Sequence, residues 1–209
     1  MLHTQSKIKV ALFDADGVTT DPRNFAINYE RDFGLHPNKF LPTFFKEAFQ
    51  DCLLGKADLK VVIQPYLKDW KWPGTVDEFL AYWFKSEGET NGEVIRVINQ
   101  LRKRGIACYL ATNQEKYRIE YMWESMGFKH IFNGICSSLD LGYKKPSREF
   151  FERLLTQIDP YNEIKTNEVL FWDDVQTNVD AAKELGIQAY LYKNEQDFKD
   201  SMSEIIDSQ

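Results

Sequence analysis

The chain has 209 residues, of which 43% are hydrophobic and 28% charged, a composition typical of a folded globular protein of one or two domains. Its net charge of −6, with no basic cluster to offset it, argues against nucleic acid as a partner. No apolar run approaches the roughly 20 residues that span a bilayer, so no membrane association is expected. The cysteines, three in number, form no CxxC pair, which argues against a cysteine zinc site or a disulfide framework and favours a cytoplasmic protein.

Short apolar runs rich in β-branched or aromatic residues predict buried parallel strands, because they lack the alternation of half-buried strands. They cover residues 9–13, 106–111, 169–172 and 188–192, with a weaker candidate at 134–137. Amphipathic segments between them predict helices over residues 92–104, 115–126, 147–158, 177–185 and 195–206. The alternation of strand and helix from about residue 90 onward predicts an α/β fold built on a doubly wound parallel sheet.

The stretch that follows the first predicted strand has helical character instead. Apolar spacing, punctuated by proline and glycine, predicts helices over residues 37–50, 57–67 and 76–85. We therefore expect a core domain of residues 1–19 and 89–209, interrupted by an α-helical domain of residues 20–88. An insertion at this point can cover the carboxyl ends of the strands, where open α/β sheets bind ligands.

Two aspartates follow the first predicted strand, in the run Asp14-Ala15-Asp16-Gly17. In an extended or loop conformation, residues i and i+2 point to the same side, so both carboxylates can face one site. One carboxylate can then attack a substrate while the other exchanges a proton with a leaving group or water. Two loop aspartates that cap the next helix are the alternative, and these residues alone leave both interpretations open.

The second strand that bears on function runs into Thr112 and Asn113. A hydroxyl and an amide just before a helix can hold phosphate oxygens with the help of the helix N-terminal amides. Taken alone, however, this segment is better explained as a simple N-cap for the helix that begins near Glu115.

Lys145 precedes a proline, which places it in extended backbone. Its ammonium can reach a site and neutralise an anionic nucleophile together with a phosphoryl group. Most lysines are solvated surface residues, so a functional role for Lys145 is favoured only in combination with the other segments at the strand ends.

Adjacent aspartates, Asp173 and Asp174, follow the strand predicted over residues 169–172. They supply hard oxygen ligands of the kind that Mg²⁺ takes, in small number, together with water and substrate phosphate. Capping of the following helix by one of the two is the alternative.

These four segments, in this order and at the ends of strands, resemble the haloacid dehalogenase-like (HAD) hydrolase superfamily. The family has a DxDG motif followed by Val or Thr, a Thr or Ser after an apolar strand, a lysine before a proline and an Asp-Asp pair. The corresponding residues here are 14–18, Thr112, Lys145 and Asp173 with Asp174. The resemblance covers nearly the whole chain apart from the helical insertion, which looks like the C1-type cap of subfamily I, and it implies a Rossmann-like core.

The resemblance also implies residue roles in a phosphatase reaction. Asp14 would attack phosphorus and form an aspartyl-phosphate, while Asp16 would protonate the leaving oxygen and then deprotonate the hydrolytic water. Thr112, with Asn113 nearby, would bind the phosphoryl group, and Lys145 would hold the charge of nucleophile and phosphoryl group in place. Because phosphoryl transfer depends mostly on positioning and charge neutralisation, these roles agree with the residue chemistry.

A Mg²⁺ cofactor is implied in the same way. Asp14 would give it a carboxylate oxygen, Asp16 its backbone carbonyl, and Asp173 a carboxylate oxygen. Asp174 would bind the ion directly or through water. The expected partner is a small phosphorylated metabolite, with a sugar phosphate as the family-level expectation.

Three alternatives remain open at this point. A 2-haloacid dehalogenase of the same superfamily needs no metal, but members of that branch usually lack the second aspartate of the first motif, which is present here as Asp16. A phosphosugar mutase would use the same residues and is poorly separated by sequence. A non-enzymatic binding protein is disfavoured because every catalytic position is filled.

Arg23 and Arg31 could meet an anionic leaving group, although exposed or ion-paired arginines are the better expectation.

Overall fold

A computed structural model describes residues 7–39 and 41–207. The two ends of the expected core domain, residues 1–6 and 208–209, and Phe40 of the helix predicted over 37–50 lie outside the described residues. Within the described part, no helix has the length and apolar character needed to cross a membrane.

One parallel sheet organises the chain. Its strands, in chain order, are β1 Val10–Phe13, β2 Ala107–Thr112, β3 Gly134–Ser137, β4 Val169–Asp173 and β5 Gln188–Leu191. They lie side by side in the order β3-β2-β1-β4-β5, and all four neighbouring pairs are parallel. The order places β1 at the centre, between the strands that carry the second and fourth predicted motifs, and it confirms the predicted α/β fold with a doubly wound parallel sheet.

The helices in chain order are α1 Arg23–Phe33, α2 Leu41–Lys46, α3 Phe49–Cys52, α4 Leu59–Ile63, α5 Val76–Ser86, α6 Gly92–Lys103, α7 Lys116–Glu120, α8 Phe128–Ile131, α9 Ser138–Leu141, α10 Arg148–Ile158, α11 Gln176–Glu184 and α12 Glu195–Asp207. The helix predicted over residues 37–50 is divided into a 3-10 turn, Pro37–Lys39, followed by α2 and the start of α3. The helix predicted over 115–126 begins as α7 and continues as a π-helical turn, Tyr121–Ser125, which the hydrogen bond from Met126 N–H to the Tyr121 carbonyl closes.

Both faces of the sheet are covered by apolar side chains. Residues of β1 alternate between the faces: Ala11 and Phe13 pack with residues of α6 and α12, while Val10 and Leu12 pack with residues of α10 and α11. All four are at most 2% exposed. Burial on both sides explains why the strands are continuous apolar runs, and it fixes the carboxyl end of β1 in the centre of one edge of the sheet.

Helices α1 to α5 lie between β1 and α6 in the sequence and share a third apolar cluster. Aromatic side chains dominate it, with Phe25, Tyr29, Phe44 and Phe79 all at most 2% exposed. The Ser138 hydroxyl donates to the Leu53 carbonyl at 2.7 Å, so this helical segment is hydrogen-bonded to the start of α9, which directly follows the edge strand β3.

Candidate active site

Asp14 is the first residue after β1, and its backbone N–H donates to the Trp172 carbonyl of β4 at 2.9 Å. The sheet therefore fixes its backbone. Its Oδ1 accepts hydrogen bonds from the Ala15 N–H at 2.7 Å and pairs with Lys145 Nζ at 2.8 Å. Burial raises the pKa of Asp14 to about 7; Lys145 opposes this shift, and the nearby Asp173 carboxylate adds to it. The α1 N-cap is Pro22 without a side-chain hydrogen bond, so neither Asp14 nor Asp16 caps that helix.

Lys145 lies between two carboxylates. Its Nζ is 2.8 Å from Asp14 Oδ1 and 2.6 Å from Asp173 Oδ2, and the residue is only 5% exposed. Burial by itself would lower the pKa of Lys145, but the two aspartates raise it above its usual value, so the ammonium stays charged. The surface-lysine alternative is thus excluded for this residue.

The side chain of Asn113 holds the backbone of Lys145 on both sides of that residue's Cα. Its Oδ1 accepts from the Lys145 N–H at 2.8 Å, and its Nδ2 donates to the Lys145 carbonyl at 3.0 Å. This pair of bonds connects the end of β2 to the loop that carries the lysine. Glu115, rather than Thr112 or Asn113, caps α7, because its carboxylate accepts from the Tyr117 and Arg118 N–H groups.

Asp173, the last residue of β4, is fully buried. Its Oδ1 accepts from the Val175 N–H at 2.8 Å and from Asn178 Nδ2 at 2.9 Å, and its Oδ2 accepts from Lys145. Each carboxylate oxygen is therefore oriented by a donor. An oxygen has two lone pairs, so Oδ2 keeps one for a further ligand.

Carboxylate oxygens of Asp14, Asp173 and Asp174 lie within 4.8 Å of one another. Burial raises the pKa of Asp174, and the Asp173 carboxylate adds to that shift. Such a concentration of negative charge is stabilised by a hard divalent cation, for which carboxylate oxygens are the preferred ligands. Gly17 makes room for the group: a Cβ there would lie 2.1 Å from Asp174 Oδ2, so only a glycine lets this carboxylate approach the end of β1. The donor set fits Mg²⁺.

Asp16 is held apart from this cluster. Its Oδ1 accepts from the Thr20 hydroxyl at 2.9 Å, and its Oδ2 accepts from Gln114 Nε2 at 2.5 Å. The Arg118 guanidinium lies 3.6 Å from Oδ1. Asp16 thus directs its carboxylate toward Gln114 and Arg118, and it lines a cavity whose walls include residues of the helical segment.

Thr112 is the last residue of β2 and is 1% exposed. Because β2 is the direct neighbour of β1 in a parallel sheet, Thr112 and Asn113 lie at the same edge of the sheet as Asp14. Arg23 and Arg31 form exposed ion pairs with Asp21 and Asp32, which is the arrangement expected for them.

Arg118 is one of the residues near the site that the sequence patterns did not predict. It is 3% exposed and donates to the carbonyls of Phe84 and Glu87, at 3.1 and 2.9 Å. The sequence did contain a signal that Arg118 is buried: it lies four residues before the apolar Met122, so both side chains are on the same face of the helical segment. Burial raises the pKa of Glu87 to about 8, and the nearby Asp16 carboxylate adds to the shift.

A cavity of about 580 Å³ lies beside Asp16, between the sheet edge and the helical segment. Its lining combines residues of the strand ends, such as Asn113 and Gln114, with residues of α1, α2 and α5. A second cavity of about 790 Å³ adjoins Gly17 and Asp174 on the other side of the first motif.

Two curated relatives are named as phosphatases. A sesquiterpene phosphatase of Aspergillus oryzae is 32% identical over 97 residues, which are 44% of this chain and 44% of that protein. The D-ribitol-5-phosphate phosphatase of Bacteroides thetaiotaomicron is 24% identical over 140 residues, 64% of this chain and 66% of that protein. The match therefore spans less than two thirds of the length of either relative.

Among solved structures, a HAD family enzyme from B. thetaiotaomicron is similar with a TM-score of 0.74 and 20% identity, covering 90% of this chain and 95% of that one. Another structure of this enzyme, described as a complex with magnesium and inorganic phosphate, gives a TM-score of 0.71 at 19% identity, covering 89% and 94%. At such identity the likeness establishes the fold. A family model described as haloacid dehalogenase-like hydrolase matches residues 8–186. The chain belongs to the haloacid dehalogenase-like hydrolase family.

Proposed function

We propose that the protein is a Mg²⁺-dependent phosphatase that hydrolyses the phosphate monoester of a small metabolite through an aspartyl-phosphate on Asp14. The observation that carries the proposal is the placement of Lys145 between Asp14 and Asp173, with Asp174 in reach of both. An ammonium in this position neutralises a carboxylate nucleophile and the phosphoryl group that it receives.

In the first half of the proposed reaction, a carboxylate oxygen of Asp14 forms a bond to phosphorus while the bond between phosphorus and the alcohol oxygen breaks. Asp16 gives its proton to that oxygen, and the alcohol leaves. In the second half, Asp16 takes a proton from a water molecule that attacks the same phosphorus. The aspartyl-phosphate bond breaks, which releases inorganic phosphate and restores Asp14.

Thr112 and Asn113 are proposed to bind the phosphoryl oxygens. The Asn113 amide is engaged with the Lys145 backbone, so Asn113 would contribute its own backbone N–H, and Thr112 its hydroxyl. The bound Mg²⁺ would be held by Asp14, Asp173, Asp174 and the Asp16 carbonyl, and it supplies positive charge to the phosphoryl group.

We further propose that residues 20–88 form a cap domain of the C1 type over a core of residues 1–19 and 89–209. Two observations support this division: helices α1 to α5 share their own apolar cluster, and the 580 Å³ cavity is lined partly by these helices and partly by the strand ends.

We propose a cytoplasmic location on the basis of the cysteines, because Cys52, Cys108 and Cys136 are free and buried.

The decisive experiment is hydrolysis of p-nitrophenyl phosphate with and without Mg²⁺. We expect metal-dependent turnover that Asp14→Asn abolishes and that Asp200→Asn, an exposed aspartate of α12, leaves unchanged. Full turnover by the Asp14→Asn variant would overturn the mechanism.

A parallel assay with a hexose 1-phosphate and added hexose bisphosphate distinguishes a phosphatase from a phosphosugar mutase, because the mutase would yield the isomeric monophosphate instead of free phosphate.

A further inference from the structure

The walls of the 580 Å³ cavity beside Asp16 are mainly apolar. Most of its lining residues carry mainly hydrocarbon side chains. These residues come from the segment before α1, from α1, from the 3-10 turn Pro37–Lys39 and from α2, α3 and α5: Pro22, Phe25, Ala26, Ile27, Pro37, Leu41, Phe45, Phe49, Trp83 and Phe84. Ile27 is 63% exposed, although a large aliphatic side chain gains by burial. An exposed isoleucine at the wall of a cavity that adjoins the proposed acid/base is available for contact with a ligand.

Most of the polar side chains that line the same cavity have partners in the protein. Two lining side-chain N–H groups, Trp83 Nε1 and Arg118 Nε, have no hydrogen-bond partner among the described residues, but both atoms are buried and therefore present no donor to the cavity. Arg23 is paired with both oxygens of Asp21, and His36 lies 3.6 Å from a Glu30 carboxylate oxygen. Asn113 holds the backbone of Lys145 with both its amide oxygen and its amide nitrogen.

The polar lining residues at the start of α7 also have partners within the protein. The Glu115 carboxylate accepts from two backbone N–H groups at the start of that helix, and Gln114 Nε2 donates to Asp16. Arg118 donates to two carbonyls at the end of α5. A polyhydroxylated leaving group would have to displace such bonds to satisfy its hydroxyls, which costs free energy at each site.

From these observations, and on the basis of the proposed phosphatase function, we propose that the alcohol released when Asp14 takes up the phosphoryl group carries a predominantly hydrocarbon group, alkyl or aryl, rather than a sugar or polyol chain. The hydrocarbon group would lie against Ile27, Phe45 and Trp83 while its phosphate is at the end of β1. This substrate class differs from the sugar phosphate that the family resemblance leads one to expect.

A chain-length series tests the inference. Ethyl, butyl, hexyl and octyl phosphate carry the same reacting group, so differences in kcat/KM report on contacts with the hydrocarbon. Transfer of each methylene from water to an apolar wall predicts a rise of roughly two- to fourfold in kcat/KM per added carbon until the cavity is filled. Ribitol 5-phosphate and glycerol 3-phosphate serve as polar comparisons, and both should be poorer substrates than hexyl phosphate.

A matched pair of variants locates the effect. Ile27→Asn places an amide in the cavity wall, and Val61→Asn places one on α4, at a side chain that is 69% exposed and outside this lining. Since both residues are exposed, neither change should prevent folding. We expect Ile27→Asn to lower kcat/KM for octyl phosphate about tenfold without affecting ethyl phosphate, and Val61→Asn to leave the whole series unchanged.

Failure of this inference and failure of the proposed function give different results. A flat chain-length series, or a preference for ribitol 5-phosphate, in an enzyme that hydrolyses p-nitrophenyl phosphate overturns the inference alone. If no phosphate ester is turned over, the phosphatase proposal fails, and calorimetric titration with ethyl- and octylphosphonate decides the inference. Octylphosphonate should bind at least tenfold more tightly than ethylphosphonate, and this difference should be lost in Ile27→Asn; equal affinities would contradict the apolar site.

Discussion

Gly17 and Asp174 are packed so closely that a Cβ on residue 17 would lie 2.1 Å from Asp174 Oδ2. Gly17 also has φ of +85°, and its N–H donates to the Thr20 carbonyl at 2.8 Å. The glycine of the first motif thus has two functions: it permits the turn after Asp16, and it admits the Asp174 carboxylate of the fourth motif to the cluster formed with Asp14 and Asp173.

We therefore predict that Gly17→Ala weakens Mg²⁺ binding by about 10- to 100-fold, because the methyl group pushes the Asp174 carboxylate away from Asp14 and Asp173. Calorimetric titration with Mg²⁺ measures this. The control is Gly105→Ala, at φ of +83° with nothing within 4 Å of the added Cβ, which carries the same backbone strain without the displacement. Equal Mg²⁺ affinity in both variants would contradict a metal-binding role for Asp174.

Lys145→Met should lower kcat by about 100-fold or more, since it removes the charge beside Asp14, the proposed nucleophile, and beside the phosphoryl group that Asp14 would receive. Lys144→Met is the neighbouring control: Lys144 donates to Gln50 and contacts no aspartate of the cluster among the described hydrogen bonds and ion pairs. Turnover of p-nitrophenyl phosphate compares the two, and circular dichroism verifies that each is folded. Comparable losses in both variants would show that the effect is not specific to the buried ammonium.

How far the fold could be predicted depended on local signals. Each strand was placed to within one or two residues. The central strands β1 and β4 are buried throughout and leave uninterrupted apolar runs, whereas the edge strands β3 and β5 are only partly buried and include polar residues, so their signal is weaker. The bounds of α1 were not predicted, because Pro22 gives no side-chain cap and only Phe25 and Tyr29 of its residues are buried. A helix with so narrow an apolar face leaves little periodicity in the sequence.

For the candidate site, residues that directly follow a strand could be predicted, because parallel strands bring their carboxyl ends to one edge. The residues that contact the Asp16 carboxylate could not be predicted in this way. Gln114 is 98 residues away in the chain, and Arg118 reaches the site only because α7 packs against the end of α5. Such contacts depend on tertiary packing, which no local pattern contains.

The pH dependence of stability should reveal the buried Glu87. Its pKa is raised to about 8, chiefly by burial, from a value of 4.5 that it regains on unfolding. The folded state therefore binds this proton more tightly, so the stabilisation is complete below about pH 4.5 and is lost as pH rises through about 8. Over that interval the wild-type protein should lose up to about 4 kcal/mol more than Glu87→Gln, which stays neutral.

Urea unfolding of both proteins at pH 5, 7 and 9, in EDTA to remove metal effects, measures this difference. The other titrating groups are common to both chains, so their contributions cancel to first order. Parallel curves of stability against pH would contradict the raised pKa of Glu87.

Arg118 connects two helices that belong to the two proposed domains, and its removal should destabilise the protein. The guanidinium of this α7 residue donates to the carbonyls of Phe84 and Glu87 at the C-terminal end of α5, where helical carbonyls lack partners within the helix. Arg118→Met leaves both carbonyls buried without this donor and removes a cation 3.6 Å from Asp16. We expect a loss of about 2 to 4 kcal/mol in the free energy of unfolding.

The comparison is Arg148→Met, since the Arg148 side chain is 66% exposed and pairs with Glu152 on the same helix, an interaction expected to contribute less than about 0.5 kcal/mol. Urea unfolding at pH 7 measures both variants. Because Arg118 also fixes the end of α5 beside the 580 Å³ cavity, its loss should raise KM for hexyl phosphate as well as lower stability. A variant as stable as Arg148→Met would show that the buried guanidinium does not hold the two helices together.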